Sequence, residues 1–183
     1  PKITPKGFYN NYEFIIKNAN TDGKKSQKFK EKESLYMSGL LQLNSSFPLI
    51  KENNNQKKIL KPKLSFRIAP NHTKDYKTDE NVIDVNNIFS LNRINKNDTI
   101  EGGISLAYGA DYLILSEKEN RELLSFKIAN NLRFKDSNDL TNSNQIGQKT
   151  SNFFTETSYS PSDFFNIRYK SSIKNNLSEI DNE

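Results

Sequence analysis

The side chains able to do chemistry in this chain are few, and most crowd into one stretch. Between Asp84 and Tyr112, DVNNIFSLNRINKNDTIEGGISLAYGADY, stand Arg93, Asp98 and Glu101, followed by Gly102-Gly103. Paired acids hydrolyse a bond only in a cleft that raises one pKa, and nothing near Asp98 and Glu101 suggests a cleft. Ion pairing of Arg93 with one of them, inside a loop, is the simpler reading. Gly102-Gly103 could cradle a phosphate only ahead of a helix, and no helical pattern follows, so the pair reads as a turn from loop into strand. The chain holds 1 His and 0 Cys. Thiolate metal sites and disulfides are excluded, and His72, in a polar loop, has no partner for nucleophilic catalysis. No catalytic residue, metal ligand or cofactor site is expected.

The chemistry that remains is binding. Lys61, Lys63 and Arg67, then Lys127 and Arg133, then Arg168 and Lys170 recur at even spacings. In an extended chain, even spacing places side chains on one face. The intervening residues are apolar: Leu64, Phe66 and Ile68; Ile104 and Leu106; Phe126 and Ile128; Phe165 and Ile167. Seven segments carry such signals, at about 7–20, 34–51, 57–70, 101–116, 120–135, 149–161 and 163–176. The sixth, SNFFTETSYS, is the weakest, and no helical stripe of comparable length exists. Pro48 and Pro62 lie inside strand text and mark a bulge or a strand end.

The gaps between these segments alternate in length. Long polar gaps at 21–33, 71–100 and 136–148 alternate with short ones at 52–56, at Glu117-Lys118-Glu119 and at Pro161-Ser162. An up-and-down membrane barrel has this arrangement, with short periplasmic turns and long extracellular loops, and a soluble sandwich has no reason for it. The predicted fold is all-β: an antiparallel transmembrane barrel, here an open fragment of about seven strands. Apolar side chains would then meet lipid while the charged face lines a wet lumen. Ile88, Phe89 and Leu91 would fold the longest loop back over the barrel mouth. Tyr12, Tyr108, Tyr112, Phe134, Phe164 and Tyr169 would form part of an interfacial aromatic girdle.

Composition fits. Hydrophobic residues are 33% of the 183, below ordinary soluble domains, yet aromatics reach 11%, too many for a disordered chain. Half-apolar strands with polar loops reconcile the two. A net charge of +5, scattered rather than blocked, suits a solvated surface, and no nucleic-acid partner is expected. Two readings of the basic face stay open: contact with an anionic cargo, or a merely solvated inner wall.

Several anchors occur in one order: LQLNSSFP at 41–48, LKPKLSFRIAPN at 60–71, NIFSLNR at 87–93, DTIEGG at 98–103, Tyr108-Gly109, LSFKIANNLRFKD at 124–136 and YSPSDFFNI at 159–167. Their order resembles the middle of the barrel domain of the LptD (OstA-type) family of lipopolysaccharide-assembly outer-membrane proteins. The motif residues are Asn87, Phe89, Asn92, Arg93, Glu101, Gly102, Gly103, Tyr108, Gly109, Pro161 and Asp163. The resemblance implies an integral protein of the Gram-negative outer membrane that delivers lipopolysaccharide to the outer leaflet and is not an enzyme. It also implies outer-membrane lipids as surroundings. A plug lipoprotein (LptE-like) and a periplasmic lipopolysaccharide bridge (LptA-like) would be partners through the full-length protein. All of 1–183 would be one barrel fragment, without the family's periplasmic domain. Two rival readings are another outer-membrane barrel, a porin or solute receptor, and a soluble β-sheet binding module.

Overall fold

A computed structural model describes residues 1–21, 34–53, 55–70, 83–95, 99–119, 121–141, 144–177 and 180–182. His72, Asp98 and most of the 26–34 run lie outside them. Strands form where apolar and polar residues alternate: β1 (Lys2–Ile3), β2 (Tyr9–Thr21), β3 (Ser34–Ser46), β4 (Leu49–Asn53), β5 (Gln56–Ala69), β6 (Gly103–Ser116), β7 (Arg121–Arg133), β8 (Phe153–Ser162), β9 (Phe165–Ile173) and β10 (Ile180–Asn182). They make one antiparallel sheet in the order β1-β2-β3-β5-β6-β7-β8-β9-β10, with β4 also on β5. Each main strand pairs with its neighbour in sequence, as an up-and-down wall requires. The sheet is open: among the described residues its path does not return from β10 to β1. No described helix is long and apolar enough to cross a membrane, which says nothing of strands.

Two sequence expectations shift. The second segment is not continuous, because Phe47-Pro48 divides it into β3 and β4, which lie end to end along β5. Pro62 explains why the break is tolerated. Its carbonyl accepts Phe47 N (3.2 Å), so its missing N–H also faces the side where Pro48 interrupts the partner strand. The last short turn is Asp163-Phe164, while Pro161-Ser162 stays within β8, at an irregularity in its pairing with β9.

The two faces differ sharply. On one face Tyr12, Phe14, Ile16, Met37, Leu41, Leu64, Ile68, Ile104 and Phe126 are exposed apolar side chains. Phe66 and Leu106 continue it beside Leu132, Ile128 lies opposite Ala110, and Phe165 and Ile167 extend it to β9. Phe134 and Phe164 lie just outside the strands, highly exposed. The other face carries the charge, and the core lies on it. Residues 83–95 with 99–101, and 134–141 with 144–152, from the loops before β6 and before β8, bring Ile83, Val85, Ile88, Ile94, Leu140 and Ile146 onto Ala107, Ala129 and Phe154. A smaller cluster joins Ile100 to Leu40 and Ala69. Small wall residues make the room. Gly109 sits so close to β7 that an added Cβ would lie 2.3 Å from Ile128 O.

Candidate functional site on the polar face

Strand register turns the polar face into rows. One row runs Glu13–Gln42–Arg67–Ser105–Arg133 across β2, β3, β5, β6 and β7. A second runs Lys61–Asp111–Lys127–Glu156–Lys170 across β5 to β9, alternating in sign at every strand. Cross-strand neighbours of opposite charge stabilise a sheet.

The first row is covered. Arg67 and Arg133 are buried, where a solvated wall was one expectation. Their charge is met by the covering segment. Glu101 Oε1 accepts from Arg93 Nη2 (2.5 Å) and from Arg133 Nη1, and Oε2 accepts from Arg93 Nε (2.6 Å), with Arg67 Nη2 at 3.9 Å. Backbone carbonyls take several of the other guanidinium hydrogens, while Arg133 Nε has no hydrogen-bond partner. Arg67 donates to Ser90 O and Leu91 O (2.8 and 3.1 Å), and Arg133 to Gly102 O (2.5 Å). Arg93, 1% exposed, also reaches Asn131 Oδ1 at 2.9 Å and Ser105 Oγ at 3.2 Å. Gln42 accepts from Arg67 and donates to Phe89 O (2.7 Å). Burial pushes the Glu101 carboxyl up, but Arg93, then Arg67 and Arg133, outweigh it and hold it far below the usual carboxylate range.

The second row is largely self-compensated. Lys127 and Lys170 lie 3.1 and 3.7 Å from Glu156, and Lys63, one register step away, reaches Asp111 at 2.7 Å. The covering segment meets it with Asp84 and Asn86. Asp84 accepts from the amides of Asn86 and Asn87 (2.8 and 3.1 Å), an Asx turn that shapes the segment's start. It also pairs with Lys170 at 2.8 Å, while Asn86 bonds Glu156 and Lys127, both at 2.8 Å. Partial burial raises the Asp84 pKa, but Lys170 and the two amides bring it below the ordinary value.

The motif residues have physical roles in this assembly. Asn87 closes the Asx turn through its side chain, accepting Asp84 N at 3.0 Å. Phe89 lies under Lys63, 4.7 Å from the ring centroid, and Asn92 accepts from Lys17 (3.3 Å). Gly103 has φ +94, and a Cβ there would lie 2.9 Å from Arg133 Nη2. Gly102 supplies the carbonyl that Arg133 binds. Tyr108 is on the apolar face, opposite Leu64. Pro161 O accepts from Arg121 (2.6 Å), whose guanidinium is also 3.6 Å from Asp163. Arg168 shares the polar face, opposite Ser158, and is exposed.

The sequence reading missed Gln42, Asp84, Asn86, Asn131 and Glu156. Asp84-x-Asn86-Asn87 is a legible turn signal. Glu156 was hidden in the weakest strand.

A long antiparallel sheet with one exposed apolar face, and its charge on the other, has the design of an outer-membrane barrel wall. The family model for LptD, LPS transport system D, matches residues 9–182, and the chain belongs to that family. The family serves lipopolysaccharide transport in outer-membrane assembly. No curated protein matches the chain.

Proposed function

We propose that this chain forms part of the wall of a lipopolysaccharide translocon in the Gram-negative outer membrane, within a single barrel domain. The observation that carries the reading is the division of the sheet into an exposed apolar face and a charged one, in a chain of the LptD family. The apolar side chains, Leu64, Phe66, Ile68, Ile104, Leu106, Phe126, Ile128, Phe165 and Ile167, meet lipid. The polar face, with Lys61, Lys63, Arg67, Lys127, Arg133, Arg168 and Lys170, turns to the lumen. Strands β2, β3, β5, β6 and β7 have 13 or 14 residues, long enough to cross the hydrocarbon at a tilt. Saccharide passes along the lumen and the lipid part leaves sideways. The plug lipoprotein and the periplasmic bridge act through the full-length protein. Depletion of that protein in cells tests the reading. Loss of surface lipopolysaccharide with internal accumulation supports it, and normal surface display contradicts it.

A further inference from the structure

We propose that Arg67 and Arg133, with Ser105 between them, form a receptor for the anionic oxygen group of a sugar, phosphate or carboxylate, and that Glu101 occupies it as a built-in stand-in. The proposal rests on the lipopolysaccharide reading above and names a site within that lumen.

The contrast between the two rows carries it. In the Lys61–Asp111–Lys127–Glu156–Lys170 row the wall alternates its own charges. In the Glu13–Gln42–Arg67–Ser105–Arg133 row, two arginines flank a serine and neither has an acid as its register neighbour. Glu13, the row's one acid, is two strands from Arg67 and accepts instead from Asn44 (2.8 Å). Among the described residues, no carboxylate but Glu101 forms an ion pair with Arg67 or Arg133. Glu101 belongs to the covering segment, not to a strand.

A carboxylate held by several guanidiniums uses the same planar, forked donors that bind phosphate oxygens. With the segment withdrawn, Arg93 leaves with Glu101. The wall is left with Arg67, Arg133, Ser105 Oγ, Gln42 and Asn131, all buried now and all polar. Arg133 Nε has no hydrogen-bond partner even with Glu101 seated, so the site holds a donor that Glu101 does not use. Two arginines with no wall acid beside them are costly to leave empty. An incoming anion therefore replaces Glu101, and when it moves on Glu101 returns.

The test uses the full-length protein in detergent, titrated with glucosamine 1-phosphate, with glucuronate as the carboxylate probe and glucose as the uncharged control. Glu101→Gln should bind an anionic probe about tenfold more tightly than the wild type, since one charge-assisted competitor is gone. Adding Arg67→Met or Arg133→Met should abolish the gain. A gain with glucosamine 1-phosphate alone assigns the site to phosphate, and a gain with both probes assigns it to either anion. No gain with either probe overturns the proposal. Should Glu101→Gln not fold, hydrogen exchange of the wild type decides. Saturating glucosamine 1-phosphate should accelerate exchange of the amides in 83–95, and unchanged exchange overturns the proposal. A negative result beside normal surface lipopolysaccharide removes this site and leaves the transport reading standing.

Discussion

The covering segment is anchored at its two ends by the same chemistry in two different settings. At its end, Glu101 and Arg93 sit with Arg67 and Arg133, all four almost fully buried. At its start, Asp84 and Asn86 meet Lys127, Glu156 and Lys170, where the Lys170 side chain is 34% exposed. Charge in the buried anchor has no water to fall back on, so losing one member strands the others. Charge in the exposed anchor can be replaced by water and salt. One end should therefore behave as a structural clamp and the other as a weak latch.

The largest expected effect breaks the clamp. Arg93→Met removes the partner that holds both oxygens of a buried carboxylate and should cost about 3–5 kcal/mol, read as a fall in unfolding temperature of the detergent-solubilised barrel. Next is Gly103→Val. It forces a β-branched residue to φ +94 and into the space of Arg133, and should cost at least ~1–3 kcal/mol in the same assay. At the latch, Lys170→Met should cost less than about 1 kcal/mol, and the loss should shrink further in high salt. A latch loss as large as the clamp loss would erase the distinction.

Acid sharpens the comparison. The Glu101 pKa is depressed in the folded protein, so its contribution is complete above the ordinary glutamate value of 4.5 and is lost as pH falls through the lower folded value. The stability gap between the protein and Glu101→Gln should be constant above about pH 4.5 and should close below it. A gap that instead closed as pH rose would place the charge elsewhere.

The strands were legible because alternation is a local property. Lys61, Lys63 and Arg67 declare one face and Leu64, Phe66 and Ile68 the other without knowledge of any neighbour. The alternating charge row was not legible, because Asp111 and Glu156 join it only through register, which depends on how distant segments pair. The covering of the wall was hidden for a related reason. Ile88, Phe89 and Leu91 read as a turn folded over the mouth, but they lie along the polar face because Ser65, Ala107, Gly109 and Ala129 leave room there. Small residues spread over three strands give no periodic signal. Glu101 is one of the two acids the sequence offered to Arg93, and its pairing is seen, but its burial beside Arg67 and Arg133 needed the fold.

The transport reading requires that the apolar face of the sheet meet lipid and the charged face meet water. The chain has no cysteine, so single cysteines can report their own surroundings. In the full-length barrel, cleared of any cysteine elsewhere and reconstituted in vesicles, Lys61→Cys and Arg168→Cys should react with a water-soluble maleimide. A fluorophore on Leu64→Cys or Phe126→Cys should be quenched by nitroxide-labelled lipid. The reverse pattern, with positions 64 and 126 in water and 61 and 168 in lipid, would contradict the account.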